Sequence, residues 1–295
     1  MPRTITQSDV ESACVQLTLL GEGPSWDERN GTLWWVDIDA HRLWSLRGRD
    51  GAPRHWDLEQ EVTAAIPRRG GGLVLGLRHS IALTDTQVQI VATLPVVSPE
   101  RDVRLNDAAC DAAGRLWIGS MATDDRHGRG ALFCVNRDHT IWPALTRVTI
   151  SNGLGWSPDG KTMYHIDTNA RRVDMYPYDV TRAALGRRGT LTRLAPSLGR
   201  PDGLAVDVDG CVWVALWGGA SVHRYTPNGK LDARVELPVS NVTSCCFGGP
   251  RLDELYITTA RRGLDPQALA AQPLAGALFV CRPGPQGLRA HPFAG

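Results

Sequence analysis

No run of about 18 apolar residues occurs anywhere in the chain, and the opening residues, MPRTITQSDVES, have no apolar stretch of the kind a secretory leader needs. These absences predict a cytoplasmic protein without a membrane span. Lysine is nearly missing: Lys161 and Lys230 are the only two, so all the other residues among the 32 basic ones are arginine. Against 31 acidic residues they leave a formal net charge of +1, which speaks against a nucleic-acid or polybasic membrane binder. So much arginine is a compositional bias, and it lowers the significance of any single one. The seven cysteines are scattered, odd in number and without a CxxC pair, which argues against both a disulfide framework and a structural zinc site. Helical periodicity is almost absent too, with DPQALAAQ the one stretch that reads as a helical turn.

What the chain does have is a repeat. Six segments share one design, a loop residue, a short strand, a turn and a strongly β-forming run: GEGPSWDERNGTLWWVDI, EVTAAIPRRGGGLVLGL, RLNDAACDAAGRLWIGSM, ISNGLGWSPDGKTMYHIDT, RPDGLAVDVDGCVWVALW and NVTSCCFGGPRLDELYITT. Their turns carry the Gly, Pro, Asp and Asn that hairpins require. A third strand follows each (HRLWSL, HSIALT, GALFCV, RRVDMYPYD, SVHRYTP, GALFVCR), then a weaker fourth (RHWDL, VQIVAT, TIWPAL, TLTRLA, ARVEL, LRAHPF). Four short antiparallel strands recurring six times predict an all-β, six-bladed β-propeller. Because a propeller closes on itself, residues 1–295 read as one domain, with 1–12 a flexible N-terminal segment and VQLTLL closing the ring beside the C-terminal strand.

Aligning the first strands on Trp26, Ile66, Cys110, Trp156, Val206 and Phe247 and stepping back four residues gives Glu22, Val62, Asn106, Asn152, Asp202 and Thr243. Innermost propeller strands surround the axis, so equivalent positions form a ring at one mouth of the channel. Two carboxylates and two amide oxygens converging there call for a cation, and an all-oxygen set favours a hard divalent ion such as Ca²⁺, Mg²⁺ or Mn²⁺. Any one of these residues alone is better explained as the start of a turn. Four in one register point to a metal, with Asp202 placed both to ligate and to accept a proton from water. Arg104, two residues before Asn106 in an extended segment, faces the same way and offers a planar donor fork to a polyhydroxylated or oxyanionic substrate. Taken alone it reads equally well as a solvated surface arginine. Ser25, Ser120 and Ser151 lack the context of an activated nucleophile, and His165 reads as a packed histidine. DVDG and SPDG read as turns rather than calcium loops, and Trp34, Trp117 and Trp213 as core.

The segments GEGPSW, RLNDAACDAAGRLWIGSMA, SNGLGWSPDGKTMY, RPDGLAVDVDGCVWVALWGG and VTSCCFGG…LYITTAR…PLAGALF, kept in order and spacing from about residue 15 onward, resemble the regucalcin (senescence marker protein) and gluconolactonase family. The resemblance implies the same six-bladed fold with one divalent ion (Ca²⁺, Zn²⁺, Mn²⁺ or Mg²⁺) held by Glu22, Asn152 and Asp202. It also implies that Asp202 is the acid/base and that Arg104 and Asn106 contact substrate. Animal members carry Glu in the loop after GTMA; here Asp124 stands in GSMATDDRHGRG, one methylene shorter and beside Asp125, which competes for the contact. The implied activity is hydrolysis of a sugar lactone, hexose- or pentose-derived, to its aldonic acid. No nucleic acid, membrane or obligate protein partner is implied. A calcium-binding regulatory protein without essential catalysis is the alternative, and an aryl-ester or phosphotriester hydrolase has no support in the sequence.

Overall fold

In the computed structural model, which describes residues 2–14, 16–49, 51–97 and 102–295, six small sheets surround one axis. Their inner strands are Gly21–Asp27, Val62–Pro67, Val103–Cys110, Ser151–Trp156, Arg200–Val206 and Val242–Gly248. Each touches the inner strands on either side, and Val242–Gly248 meets Gly21–Asp27 to complete the circle. The propeller reading therefore holds, blade by blade. Hydrophobic clusters fill the six seams, one between each pair of neighbouring blades, so no blade owns a core of its own. Trp117 and Trp213 are fully buried in these seams, while Trp34 packs half-buried against the seam of blades one and two. The helical turn is present as Pro266–Ala271, capped by the Asp265 carboxylate, which accepts from the Ala268 amide.

Closure differs from expectation. The outer strand of blade six is Glu11–Cys14, antiparallel to Leu278–Cys281, and neither VQLTLL nor LRAHPF fills that place. Of VQLTLL, Val15 lies outside the described residues, and residues 16–20 cross from blade six to blade one. Asp37 accepts from the amides of Leu19 and Leu20 and Gly276 O from that of Thr18, while Leu17 and Leu19 face solvent. LRAHPF instead runs beneath the hairpin turns, where Phe293 is fully buried and its backbone bridges to Arg68. A phenylalanine that can insert between blades two and three gains more from burial than an outer-strand position offers. Arg3–Ile5, within the segment expected to be flexible, lies parallel to the outer strand of blade five, Leu231–Glu236. In blade four the outer position is shared by two short strands, Ala184–Leu185 and Gly189–Arg193.

One irregularity positions everything that follows. In every inner strand the pairing with the second strand slips: between Glu22 and Ser25, Val62 and Ala64, Leu105 and Ala108, Ser151 and Leu154, Pro201 and Leu204, and Val242 and Ser244. Such a bulge inserts residues that oppose too few partners, and it re-aims their side chains. Here it falls at the aligned ring positions of all six blades. In blades four and five the bulge ends in glycine because the backbones nearly touch. A Cβ on Gly153 would lie 2.8 Å from Asp202 O, and one on Gly203 would lie 2.0 Å from Ser244 Oγ.

Candidate metal centre

The bulges gather Glu22, Asn106, Asn152 and Asp202 at one mouth of the channel, each less than a tenth exposed, with Arg104 equally buried beside them. The amide orientations follow from the donors available. Arg104 has only N–H groups, so the oxygen of Asn106 must face it: Nη1 donates to Asn106 Oδ1 at 2.7 Å and to Leu105 O at 2.9 Å. Asn106 Nδ2 then donates to Asn152 Oδ1 and to Ser151 O, both at 2.9 Å. That turns the Asn152 nitrogen outward to Thr168 Oγ1, also at 2.9 Å. The relay across blades three and four thus presents the Asn152 oxygen to the ring with one lone pair still free.

Blade two has the buried Val62 at the aligned position, and its neighbour Thr63 and blade six's Thr243 are structural. Thr63 donates to Asn106 O in blade three and Thr243 to Gly21 O in blade one, tying neighbouring blades together at the bulge. The carboxylates are the unfinished part. Glu22 accepts only the amide of Gly23, and Asp202 accepts no hydrogen bond from any described residue. Burial pushes the Glu22 carboxyl up to about 8, helped by the nearby charge of Asp107 and opposed by Gly23 N–H and Arg104. Burial, then Glu22 and Asp107, hold Asp202 well above the ordinary carboxylate range.

Asp107 is the site residue that the sequence alignment passed over. It occupies the place in blade three that Gly153 and Gly203 occupy in blades four and five, so ND stands where NG and DG stand. That correspondence was the available signal. Its carboxyl is raised to about 6 by burial, against a hydrogen bond from Ala108 N–H. Its charge raises the carboxyls of both Glu22 and Asp202.

Asp124 is not brought into the ring. It is exposed on the turn after Met121, pairing with Arg126 Nε at 2.7 Å, and Arg126 reaches Asp102 at 3.1 Å. The same loop is fastened to blade four where His127 Nδ1 meets Thr149 Oγ1 at 2.9 Å. His165 is fully buried, with Nε2 2.9 Å from Ser151 Oγ, and so is the packed histidine that was expected. The loop acids of DVDG and SPDG close turns: Asp207 Oδ1 accepts from the amides of Asp209 and Cys211, and Asp159 Oδ1 from that of Lys161.

The donor set fits a hard divalent ion. Two buried carboxylates with almost no protein partner, facing an amide oxygen fixed by its own relay, form an oxygen site whose charge Arg104 offsets only in part. A buried unpaired charge is costly, and a cation is the simplest counterpart.

A family model described as the SMP-30/Gluconolactonase/LRE-like region matches residues 20–261. Regucalcin of Gallus gallus is 35% identical over 284 residues, covering 94% of this chain and 95% of that protein. Among solved structures, a calcium-binding protein, regucalcin, from Agrobacterium tumefaciens superposes with a TM-score of 0.95 at 27% identity, covering 99% of both chains. A luciferin-regenerating enzyme superposes at 0.88 with 30% identity, covering 97% of this chain and 99% of that one.

Proposed function

The chain belongs to the SMP-30/gluconolactonase/LRE-like family, and from that premise we propose that it hydrolyses a sugar lactone to the free aldonic acid with the aid of one divalent ion. Relatives within the family carry different descriptions, so the reading rests on the ring. The observation that carries it is a pair of buried carboxylates with a single backbone amide between them, beside an arginine that keeps donors free. Arg104 uses Nη1 within the protein, while Nε and Nη2 meet no described residue.

Glu22, Asn152 and Asp202 would hold the ion, whose chemistry is to polarise the lactone carbonyl and offset charge that develops on its oxygen. Arg104 and Asn106 orient the substrate, the guanidinium facing its hydroxyls from the mouth. Asp202 takes a proton from the attacking water as the new C–O bond forms. It returns that proton to the ring oxygen when the acyl C–O bond breaks, so atoms and charge balance. Burial and the nearby acids oppose ionisation of Asp202, and the charge of the ion would offset them, leaving the carboxylate free to accept the proton and later return it. The loop bearing Asp124 follows the strand that pairs with that of Arg104, and we assign it to substrate selection, between five- and six-carbon lactones and between 1,4- and 1,5-rings. The substrate is a small sugar, with no nucleic-acid or protein partner needed. No helix of the described residues is long and apolar enough to cross a membrane.

The second reading, a calcium-binding protein without catalysis, is favoured by the description of the Agrobacterium tumefaciens structure. A panel of pentono- and hexono-lactones, followed by acid release with each of Ca²⁺, Zn²⁺, Mn²⁺ and Mg²⁺ and with chelator, separates the two. The expected result is chelator-sensitive opening of at least one lactone. Tight calcium binding with no lactone opened under any ion would establish the second reading.

A further inference from the structure

Between blades three and four, away from the channel, lies a cavity of about 110 Å³. Its floor is formed by His165, Arg172, Asp174 and Tyr176, and exposed Arg147 and Arg188 flank its opening. Nothing in the chemistry proposed above uses it.

The lining is rich in donors without partners. Tyr176 is 6% exposed, yet its hydroxyl meets no hydrogen-bonding group among the described residues. Arg147 and Arg188 likewise make no ion pair with a described residue. Arg172 spends only Nε, on Asp174 Oδ1 at 2.6 Å, and keeps both terminal nitrogens. The acceptors are mostly occupied. Asp167, also in the lining, receives the amides of Thr149 and Ile150, and Asp174 receives Arg172, leaving one Asp174 oxygen. Burial and the neighbouring Asp174 push the Tyr176 phenol up to about 12, so at neutral pH it is a donor. Burial, then Arg172, takes His165 down to about 4, so it is neutral and adds no positive charge.

We propose that this cavity is a binding site for a small oxyanion, a phosphate or a phosphoryl group, held by Arg172 and Tyr176 from below and by Arg147 and Arg188 at the opening. Three arginines against two largely satisfied aspartates leave a net positive lining, and guanidinium forks match the geometry of a tetrahedral oxyanion. A cavity of about 110 Å³ has room for a phosphoryl group. The rest of a larger phosphorylated molecule would project through the opening.

Calorimetric titration of the full-length protein with inorganic phosphate, and separately with glucose 6-phosphate, against sodium chloride at matched ionic strength, tests this. Saturable binding of either is expected. Phosphate alone identifies the free anion as ligand, and tighter glucose 6-phosphate identifies the phosphoryl group of a metabolite. The Arg147→Gln/Arg188→Gln variant changes only exposed side chains and should weaken binding about tenfold or more, as should Tyr176→Phe. Asp202→Asn and prior chelation should leave it unchanged. Absence of saturable binding, indifference to these variants, or loss on chelation (which would move the anion to the ring) each overturns the proposal.

Discussion

Asp202 and Asp207 are two buried aspartates of one blade, the first inside the inner strand Arg200–Val206 and the second just past its end. Asp207 is complete. Its Oδ1 accepts two backbone amides, and its Oδ2 accepts Trp213 Nε1 and Arg224 Nε, both at 2.8 Å. Asp202 accepts nothing from a described residue and sits near two further acids, Glu22 and Asp107. Blade three repeats the contrast. Asp111 at the turn is held by Arg115, Trp117 and Tyr178, and those bonds outweigh its burial to lower its carboxyl. Asp107, midway along the same strand at the bulge, has only its neighbour's amide among the described residues. The turn end of the propeller satisfies its acids and gains stability from them. At the ring end Asp37 and Asp167 are satisfied too, but the ring acids Glu22, Asp107 and Asp202 receive one amide or none from the described residues, which is where a ligand has work to do.

Asp202→Asn gives the sharpest break. It keeps the shape and one oxygen for the ion but removes the proton-accepting carboxylate, so lactone turnover should fall about 10²–10⁴-fold even at saturating metal. Restoration to near wild-type turnover by excess metal would show that Asp202 is a ligand only. The matching change, Asp207→Asn, should do the reverse. Folding stability in urea should fall by about 3 kcal/mol, the low end for breaking a buried ion pair, because Arg224 keeps Asp209 and Asp232. Turnover per folded molecule should stay as it was. If Asp207→Asn left stability intact, the two ends would not divide their roles as described.

Much of this division was readable in the sequence. Six turn-punctuated repeats predicted the blades, and counting back from each strand found Glu22, Asn106, Asn152 and Asp202, because strand register is a local property. What escaped was nonlocal or irregular. Glu11–Cys14 is too short and too polar to announce itself as a strand, and its partner Leu278–Cys281 stands at the other end of the chain. LRAHPF resembled a fourth strand, but Phe293 found a deeper place under blades two and three. The bulges leave no mark on an alternating pattern, so Asp107 was passed over although its ND aligns with the NG and DG of blades four and five. Asp124 was assigned from a loop, and its ion pair with Arg126 follows from no spacing rule.

Removing the ion should come next in size. An ion bound only by the folded state at about 100 times its dissociation constant adds about 2.7 kcal/mol, so chelation should lower the melting temperature and abolish turnover. Full activity of protein shown metal-free by elemental analysis would end the metal reading. The chelated protein should also show its own pH dependence. Burial raises the Glu22 carboxyl from its ordinary 4.5 to about 8 in the folded chain, and moves Asp202 in the same direction. Folded protein therefore holds more protons than unfolded protein in that window. The resulting stability is complete below about pH 4.5, declines as pH rises and is gone above about pH 8. Metal should flatten the slope, since the ion takes the protons' place. Melting temperatures across this range, with and without chelator, would show it, and a chelated protein more stable at pH 8 than at pH 5 would contradict it.

Asn152→Asp is the smallest and most discriminating change, because it makes the ring more like itself. The relay tolerates it: Asn106 Nδ2 still donates to the retained oxygen, and the Thr168 hydroxyl can turn to donate to the new one. A third ring carboxylate should tighten the ion, seen as a higher chelator concentration needed to strip it. It should also neutralise more of the ion's charge, leaving less to polarise a carbonyl, so turnover should fall by about tenfold, or ~1.4 kcal/mol of barrier. Without metal the same variant should melt lower than chelated wild type and lose stability more steeply as pH rises, since three buried acids then repel where two did before. Tighter metal with lower turnover is the combination that only an incomplete, catalytic ring predicts. If turnover rose together with affinity, retention of the ion would limit the reaction, and the charge balance set by Asn152 would play no part.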